Sequence, residues 1–302
     1  MVNHSGKSRW LLATLIILVN IVAWRTSVFA ADCASSAHAA GCTYGLPTDQ
    51  YQALAAVMAA NPAPNGQGLT PDPKEVLRYS DTRKADYHIA SSFTGVLING
   101  LPPLQMAWVI KSVRPVLNPG GDPNPDAPRL QRYSRVYLYA TVHYNGLDWV
   151  LVGPGQWVTR GVVARVMPPS RPAEVGGRWV SIDLSEQVLT AYEGDQAIFT
   201  TLVSTGKGTR PTRPGLFHIY LRQTVGDMSA LMGTPDYYNI YNVPWVMYFS
   251  DGMALHAAPW HDNFGYVMSH GCVNMAITDA RWLFGWTESA PSTWVYVWRS
   301  HR

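Results

Sequence analysis

Charge is scarce in this 302-residue sequence: 14% of its residues are Asp, Glu, Lys or Arg, while 47% are hydrophobic. A chain that apolar does not stay unpacked in water, so intrinsic disorder is excluded. It also lacks an excess of one sign. The formal net charge is +3, but Lys7, Arg9 and Arg25 are the only charges in the first thirty residues, so the remaining 20 basic and 20 acidic groups cancel. That balance gives no reason to expect binding to nucleic acid. Phenylalanine is sparse, at seven residues against twelve tryptophans and sixteen tyrosines, a bias that fits β-rich structure. The length suits roughly two domains, each with its own core.

Long apolar runs are nearly absent. The single candidate, Trp10 to Trp24, is interrupted by Thr14 and Asn20 and falls short of the ~20 residues that span a bilayer. Lys7 and Arg9 precede it, and Val28-Phe29-Ala30 supplies small residues where a signal peptidase reads. We expect residues 1–30 to be a secretory signal, with an uncleaved membrane anchor as the alternative. A lipoprotein signal is disfavoured because Asp32 precedes Cys33. The chain is therefore expected in the cell envelope, in the periplasmic or extracytoplasmic wall space.

Cysteine is rarer still. Of three, Cys33 and Cys42 sit nine positions apart in a small loop-like segment and are expected to close a local disulfide, which export permits. Cys272 is then the odd thiol, the pattern of a reactive cysteine.

Along the chain, residues 31–73 carry a short helical pattern (Tyr51 to Ala60) and a Pro/Gly-rich linker. Residues 74–168 read as short strands. Met106 to Ile110 is one strand, and Tyr133 to Tyr144 alternates over a long run. Asn145-Gly146 then turns the chain into Asp148 to Val152, followed by Gly153-Pro-Gly-Gln-Trp-Val158. The composition of Asn118 to Pro128 predicts a mobile surface loop. This stretch resembles the SH3-like modules of bacterial cell-wall enzymes. Tyr144, Trp149 and Trp157 are candidates for a peptide or glycan groove in it, as well as for its core. A stiff Pro-rich segment, 169–177, leads into the last domain, 178–300. That domain opens with an expected three-strand meander over 178–184, 188–192 and 197–203. A strand over 216–220, a hairpin over 245–256, a helix near 278–286 and a closing strand over 293–298 follow.

The chemistry is concentrated in His256-Ala-Ala-Pro-Trp-His261-Asp-Asn-Phe-Gly-Tyr-Val-Met-Ser269-His270-Gly271-Cys272-Val273-Asn274, which holds three of nine histidines. A thiol with pKa ~8.5 needs a nearby imidazole to give a useful thiolate fraction near neutrality. His256, arriving on a separate strand, is the better base. His270 lies too close along the chain and suits the loop or the oxyanion site. Gly271 allows a sharp turn, so that the amides of Gly271 and Cys272 can face a tetrahedral oxyanion. The pattern points to cysteine-based acyl transfer.

His256, then Ser269-His270-Gly271-Cys272-Val273-Asn274, together with Ser181-Ile-Asp-Leu, Val203-Ser-Thr-Gly206 and Thr212-Arg213-Pro214-Gly215-Leu-Phe217, resembles the catalytic domain of the YkuD-type L,D-transpeptidases. Arg213 stands where that family usually has proline. The resemblance implies a mainly β protein: an SH3-like barrel, then a β-sandwich with a short helix after the catalytic cysteine. It implies that Cys272 attacks the carbonyl after the third residue of a peptidoglycan stem tetrapeptide and expels D-alanine. An amine of a second stem would then resolve the thioester, so that stem peptides are both donor and acceptor of a 3-3 cross-link. It also implies His256 as base, the Ala257 carbonyl orienting its ring, Ser269, His270 and Gly271 around the oxyanion, and Asn274 supporting the loop. Tyr248 and Trp260 are candidates for the donor-cleft walls, and His261 is expected to be a bystander. Neither metal nor organic cofactor is implied, and carbapenem-type β-lactams are expected to acylate Cys272. The SH3-like module would offer a wall contact. The alternatives are hydrolysis of the same acyl-enzyme (an L,D-carboxypeptidase), a zinc site built from His256, His261, His270 and Cys272, and a non-catalytic wall-binding protein.

Overall fold

The computed structural model describes residues 33, 41–61, 67–68, 94–102, 104–230, 238–289 and 292–301. The expected signal segment and residues 74–93 of the expected β module lie outside the described residues. Among the described residues, no helix is long and apolar enough to cross a membrane. The chain divides into two compact units, Met1–Pro64 with Pro102–Arg165 and Asn65–Leu101 with Val166–Arg302. This differs from the boundary expected at residue 74, because the strand just before residue 102 pairs with the C-terminal domain.

In chain order the strands begin with β1 (Cys42–Thr43) and β2 (Leu46–Pro47), followed by helix α1 (Thr48–Ala60). β3 (Gln67–Gly68) and β4 (Val96–Leu97) belong to the second unit. The first unit resumes with β5 (Gln105–Val109), β6 (Arg135–Leu138), β7 (Ala140–Tyr144), β8 (Leu147–Gly153), β9 (Gln156–Thr159) and β10 (Val163–Arg165).

In this first unit, Cys33 and Cys42 are joined by a disulfide. Tyr44 and Gly45, both at positive φ, turn β1 into β2, as a two-residue hairpin requires. Helix α1 buries Leu54, Val57 and Met58, the i, i+3, i+4 stripe of an amphipathic helix. Two three-stranded sheets, β10-β5-β6 and β7-β8-β9, enclose one cluster of Ala107, Val109, Val136, Val150, Val152, Val158 and Val163. Asn145 and Gly146, at φ 49° and 73°, make the expected hairpin. The run from Tyr133 to Tyr144 is not one strand. It turns a corner at Tyr139, whose hydroxyl donates to the Asn61 carbonyl at 2.7 Å, and continues in the other sheet.

Two further expectations are corrected here. Trp157 is fully buried, with its indole N–H donating to the Tyr44 carbonyl at 2.6 Å, so it is a core residue and does not line a groove. The Asn118–Pro128 segment is tied down. Asn124 is buried, donates from Nδ2 to the Gly155 carbonyl at 2.7 Å and accepts from the Asp126 amide at 2.9 Å. Composition marks turns well, but here the turns are anchored by a buried amide that composition does not reveal.

The second unit adds β11 (Arg178–Asp183), β12 (Val188–Glu193), β13 (Gln196–Leu202), β14 (Gly215–His218), β15 (Leu221–Ala230), β16 (Tyr238–Ser250), β17 (Met253–Ala257), β18 (Val273–Met275), helix α2 (Ile277–Glu288) and β19 (Trp294–Trp298). One sheet runs β14-β19-β11-β12-β13-β4-β3, and the other runs β15-β16-β17-β18. The expected meander is β11 to β13, and β19 closes the sheet beside β11 in parallel register. Val180, Ile182, Leu189 and Phe199 of the first sheet share a core with Met247, Phe249, Leu255 and Val273 of the second, and with Leu283 of α2. Each such side chain contributes roughly 1.5–3 kcal/mol by leaving water. The opposite face of β11 is also covered, since Trp179 is buried and stacks on Tyr192 at 4.1 Å.

β4 is pinned from below by a buried carboxylate. Asp279 Oδ2 accepts from the Thr94 and Gly95 amides at 3.2 and 3.0 Å and from the Thr201 hydroxyl at 2.6 Å.

Candidate active site

The parallel pairing of β17 with β18 builds the site. Its register sets Leu255 beside Val273 and His256 beside Asn274, so His256 is the last residue but one of its strand and Cys272 immediately precedes the other. The crossover between them is laced onto the segment after β13. Ser204 and Asn274 exchange backbone hydrogen bonds at 2.8 and 2.9 Å, and the Met268 and Ser269 amides both donate to the Thr205 carbonyl. This explains why a Ser-Thr-Gly element accompanies the cysteine motif: it holds the nucleophile's loop from behind.

The turn itself is held by side chains. Gly271 has φ 126°, a region that L side chains rarely adopt. The Ser269 hydroxyl accepts from the Gly271 amide at 3.1 Å and donates to the Cys272 carbonyl. The Gly271 amide, expected to face an oxyanion, is thus engaged by Ser269. Thr212, fully buried, accepts from the Gly206 amide at 2.9 Å and donates to the Gly271 carbonyl at 2.8 Å. Its role escaped the sequence reading, although Thr212 opens a motif recognised there; only the folded contact shows what its hydroxyl touches.

Electrostatically the pair is neutral at rest. His256 is buried, and loss of hydration pushes its pKa down to about 4, against the opposing hydrogen bond to Ala257. Its Nδ1 lies 2.8 Å from the Ala257 carbonyl oxygen. A carbonyl only accepts, so Nδ1 carries the proton and Nε2 keeps the lone pair that a base needs. Burial also pushes the Cys272 thiol up, opposed by a hydrogen bond from Ala254. Both shifts favour the neutral thiol and the neutral imidazole over the thiolate expected near neutrality.

Cys272 and His256 line one cavity of about 300 Å³. Met228, Ile240, Trp260 and Met268 form its apolar walls, and His261, Ser269, His270 and Asn274 its polar ones. Trp260 lies 5.7 Å from the His256 ring between centroids. Tyr248 packs with Cys272, Ala254 and Val246 in the cluster behind the wall, outside the cavity lining. Met228 and Ile240 come from the β15–β16 hairpin, where the polar run Leu221–Ala230 carries no strand signal of its own.

His261 is no bystander. Its Nδ1 accepts from the Asn263 amide at 3.1 Å and its Nε2 contacts the Asn274 side chain at 2.9 Å. With Nδ1 accepting, Nε2 bears the proton and the matching Asn274 atom is the amide oxygen. Among the described residues, no group of three or more His, Cys, Asp or Glu is arranged to hold a metal ion, so the four zinc-ligand types do not converge.

The family model of the L,D-transpeptidase catalytic domain, YkuD, matches residues 177–297. These residues are an L,D-transpeptidase catalytic domain. L,D-transpeptidase 1 of Mycobacterium tuberculosis is 29% identical over 156 residues, covering 45% of this chain and 61% of the relative. The chain thus spans about three fifths of the length of the curated relatives it matches. Among solved structures, an L,D-transpeptidase from Mycobacterium smegmatis is 19% identical with a TM-score of 0.38, covering 50% of this chain and 66% of its own. The catalytic domain of the E. faecium L,D-transpeptidase is 25% identical with a TM-score of 0.37, covering 42% of this chain and all of that domain. The same E. faecium domain has been solved acylated by ertapenem, and LdtMt1 in complex with imipenem. The L,D-transpeptidase motif and the family match coincide on the stretch that forms the cavity.

Proposed function

We propose that this chain is an exported peptidoglycan L,D-transpeptidase that forms 3-3 cross-links through a Cys272 thioester. The observation that carries the reading is the pairing of a buried thiol with a neutral, carbonyl-oriented imidazole in one cavity. His256 Nε2 takes the thiol proton as sulfur attacks the carbonyl carbon after the third stem residue. The imidazolium so formed is steadied by the Ala257 carbonyl and gives its proton to the departing amine of D-alanine. An acceptor amine then attacks the thioester carbon. The C–N bond forms, the C–S bond breaks, and the amine's surplus proton returns through His256 to sulfur.

Ser269 and Thr212 hold the turn at Gly271, and Asn274 and His261 brace its far side. The apolar walls, Trp260 among them, exclude water, which favours transfer over hydrolysis. Carbapenems would acylate Cys272 in the same way as the donor. The disulfide between Cys33 and Cys42 supports an oxidising, extracytoplasmic location. We read the strands of 102–165 as the SH3-like module, supported by the Asn-Gly hairpin and the shared core of two small sheets. Tyr144 and Trp149 would provide its wall contact.

Incubation with a disaccharide tetrapeptide, followed by mass spectrometry, tests the reading. Cross-linked dimers with release of D-alanine are expected. Tripeptide monomers alone would instead identify a carboxypeptidase.

A further inference from the structure

The overall charge balance hides a separation. Residues 102–165 carry seven basic and three acidic side chains, whereas residues 166–302 carry nine and eleven. Five of the seven cations, Lys111, Arg114, Arg129, Arg132 and Arg135, belong to one antiparallel ribbon of the first unit. The register that sets Trp108 beside Arg135 in β5 and β6 holds as far as the bridge between Val113 and Leu130. Lys111 therefore stands across from Arg132, and Arg114 across from Arg129.

Like charges directly opposite one another destabilise a ribbon. Among the described residues, Lys111, Arg114 and Arg129 make no ion pair, and all three are exposed. Contacts place two of the guanidinium groups. That of Arg129 donates across the ribbon to the Ser112 carbonyl at 3.4 Å, which brings it to the segment between Lys111 and Arg114. That of Arg132 lies over the Tyr133 ring, 4.4 Å from its centroid. The ribbon is held closed against the repulsion. Val113 and Leu130 exchange backbone hydrogen bonds at 3.0 and 2.8 Å and pack on the first unit's core, and the Ser112 hydroxyl accepts from the Arg132 amide at 2.9 Å.

A local rule broken twice in a well-held element marks a site kept for something other than stability. Fixed, exposed cations suit an anion repeated along a polymer. The substrate of the catalytic domain is such a polymer, because its stem tetrapeptides end in the carboxylate of D-alanine. We propose that this ribbon holds the chain on peptidoglycan by pairing its guanidinium and ammonium groups with stem-peptide carboxylates. It is a charged contact in addition to the aromatic one, and it rests on the peptidoglycan reading above.

The test is co-sedimentation of the whole chain with insoluble peptidoglycan, before and after its carboxylates are converted to methylamides, and with vesicles of anionic phospholipid. Wild type is expected to bind the untreated polymer roughly tenfold more tightly than the amidated one, and less tightly as salt rises. Arg114→Glu separates binding from folding, since it turns a like-charge pair into an attractive one. It should raise the thermal midpoint by a few degrees and weaken binding roughly tenfold. D-alanine release from a soluble tetrapeptide donor should stay at the wild-type rate. Equal binding to the amidated polymer, unchanged binding or a lowered midpoint in Arg114→Glu, or capture by the vesicles and not by the polymer, with D-alanine release intact, would overturn this inference alone. Wild type that releases no D-alanine would overturn the peptidoglycan reading and this inference with it.

Discussion

If His256 is the base of the proposed reaction, its burial sets the acid limit. Its pKa of about 4, against 6.5 for an exposed imidazole, is caused chiefly by lost hydration. At pH 5 an imidazole with that lowered value is about 90% neutral, whereas an ordinary one is about 3% neutral, roughly a thirtyfold difference in active base. The rate of Cys272 acylation by imipenem, followed by protein mass from pH 3.5 to 8, should hold nearly level down to pH 5 and halve near 4. Trp260, 5.7 Å from the His256 ring, helps keep water away, so Trp260→Ala should move the acid limb toward 6.5. A wild-type limb already near 6.5 would refute the argument that the base is held neutral by burial. An unmoved limb in Trp260→Ala would show that the shielding comes from elsewhere.

Three further outcomes follow from the same structure. Alkylation of Cys272 by iodoacetamide should show a single ionisation above the ordinary thiol range, because burial raises its pKa; a rate plateau between about pH 4 and 8 would indicate a thiolate–imidazolium pair instead. Stability should respond to acid through two opposed groups. His256, with its folded pKa lowered to about 4, contributes stability that is complete above 6.5 and lost as pH falls toward 4. Asp279, raised to about 6 by burial, contributes stability that is complete below 3.8 and lost as pH rises through 6. Each is worth about 3 kcal/mol, so urea unfolding of Asp279→Asn should show a steeper loss between pH 6.5 and 4 than wild type; parallel curves would contradict the assignment. Thr212→Val removes the hydroxyl that joins the Gly206 amide to the Gly271 carbonyl, and should cost about 1–3 kcal/mol in urea unfolding and slow acylation; a variant matching wild type in both would discount Thr212.

The candidate site stretch was legible because its pattern is local. Ser269 to Asn274 is contiguous, and His256 lies near the end of a strand whose hairpin turn is marked by Asp251-Gly252. The meander from β11 to β13 was legible too, through its alternation and turns. What escaped depends on contacts far apart in sequence. β4 joins β13 across about a hundred residues and is pinned by Asp279, so no local pattern assigns it to the second unit. β15 is polar and is a strand only through its pairing with β16. Trp157 reads equally well as groove or core until its indole is seen on the Tyr44 carbonyl. The charge state of the pair also escaped. Sequence suggests an activated thiolate, but burial of both groups reverses that balance.

The central claim is that Cys272 carries the acyl group and His256 delivers and collects its proton. Its most direct measurement is the mass of the protein after brief exposure to a tetrapeptide donor without acceptor, alongside the D-alanine released. Wild type should gain one acyl group on Cys272 with stoichiometric D-alanine, Cys272→Ala should do neither, and His256→Ala should acylate at least a hundredfold more slowly. Release of D-alanine by Cys272→Ala at the wild-type rate would contradict the account.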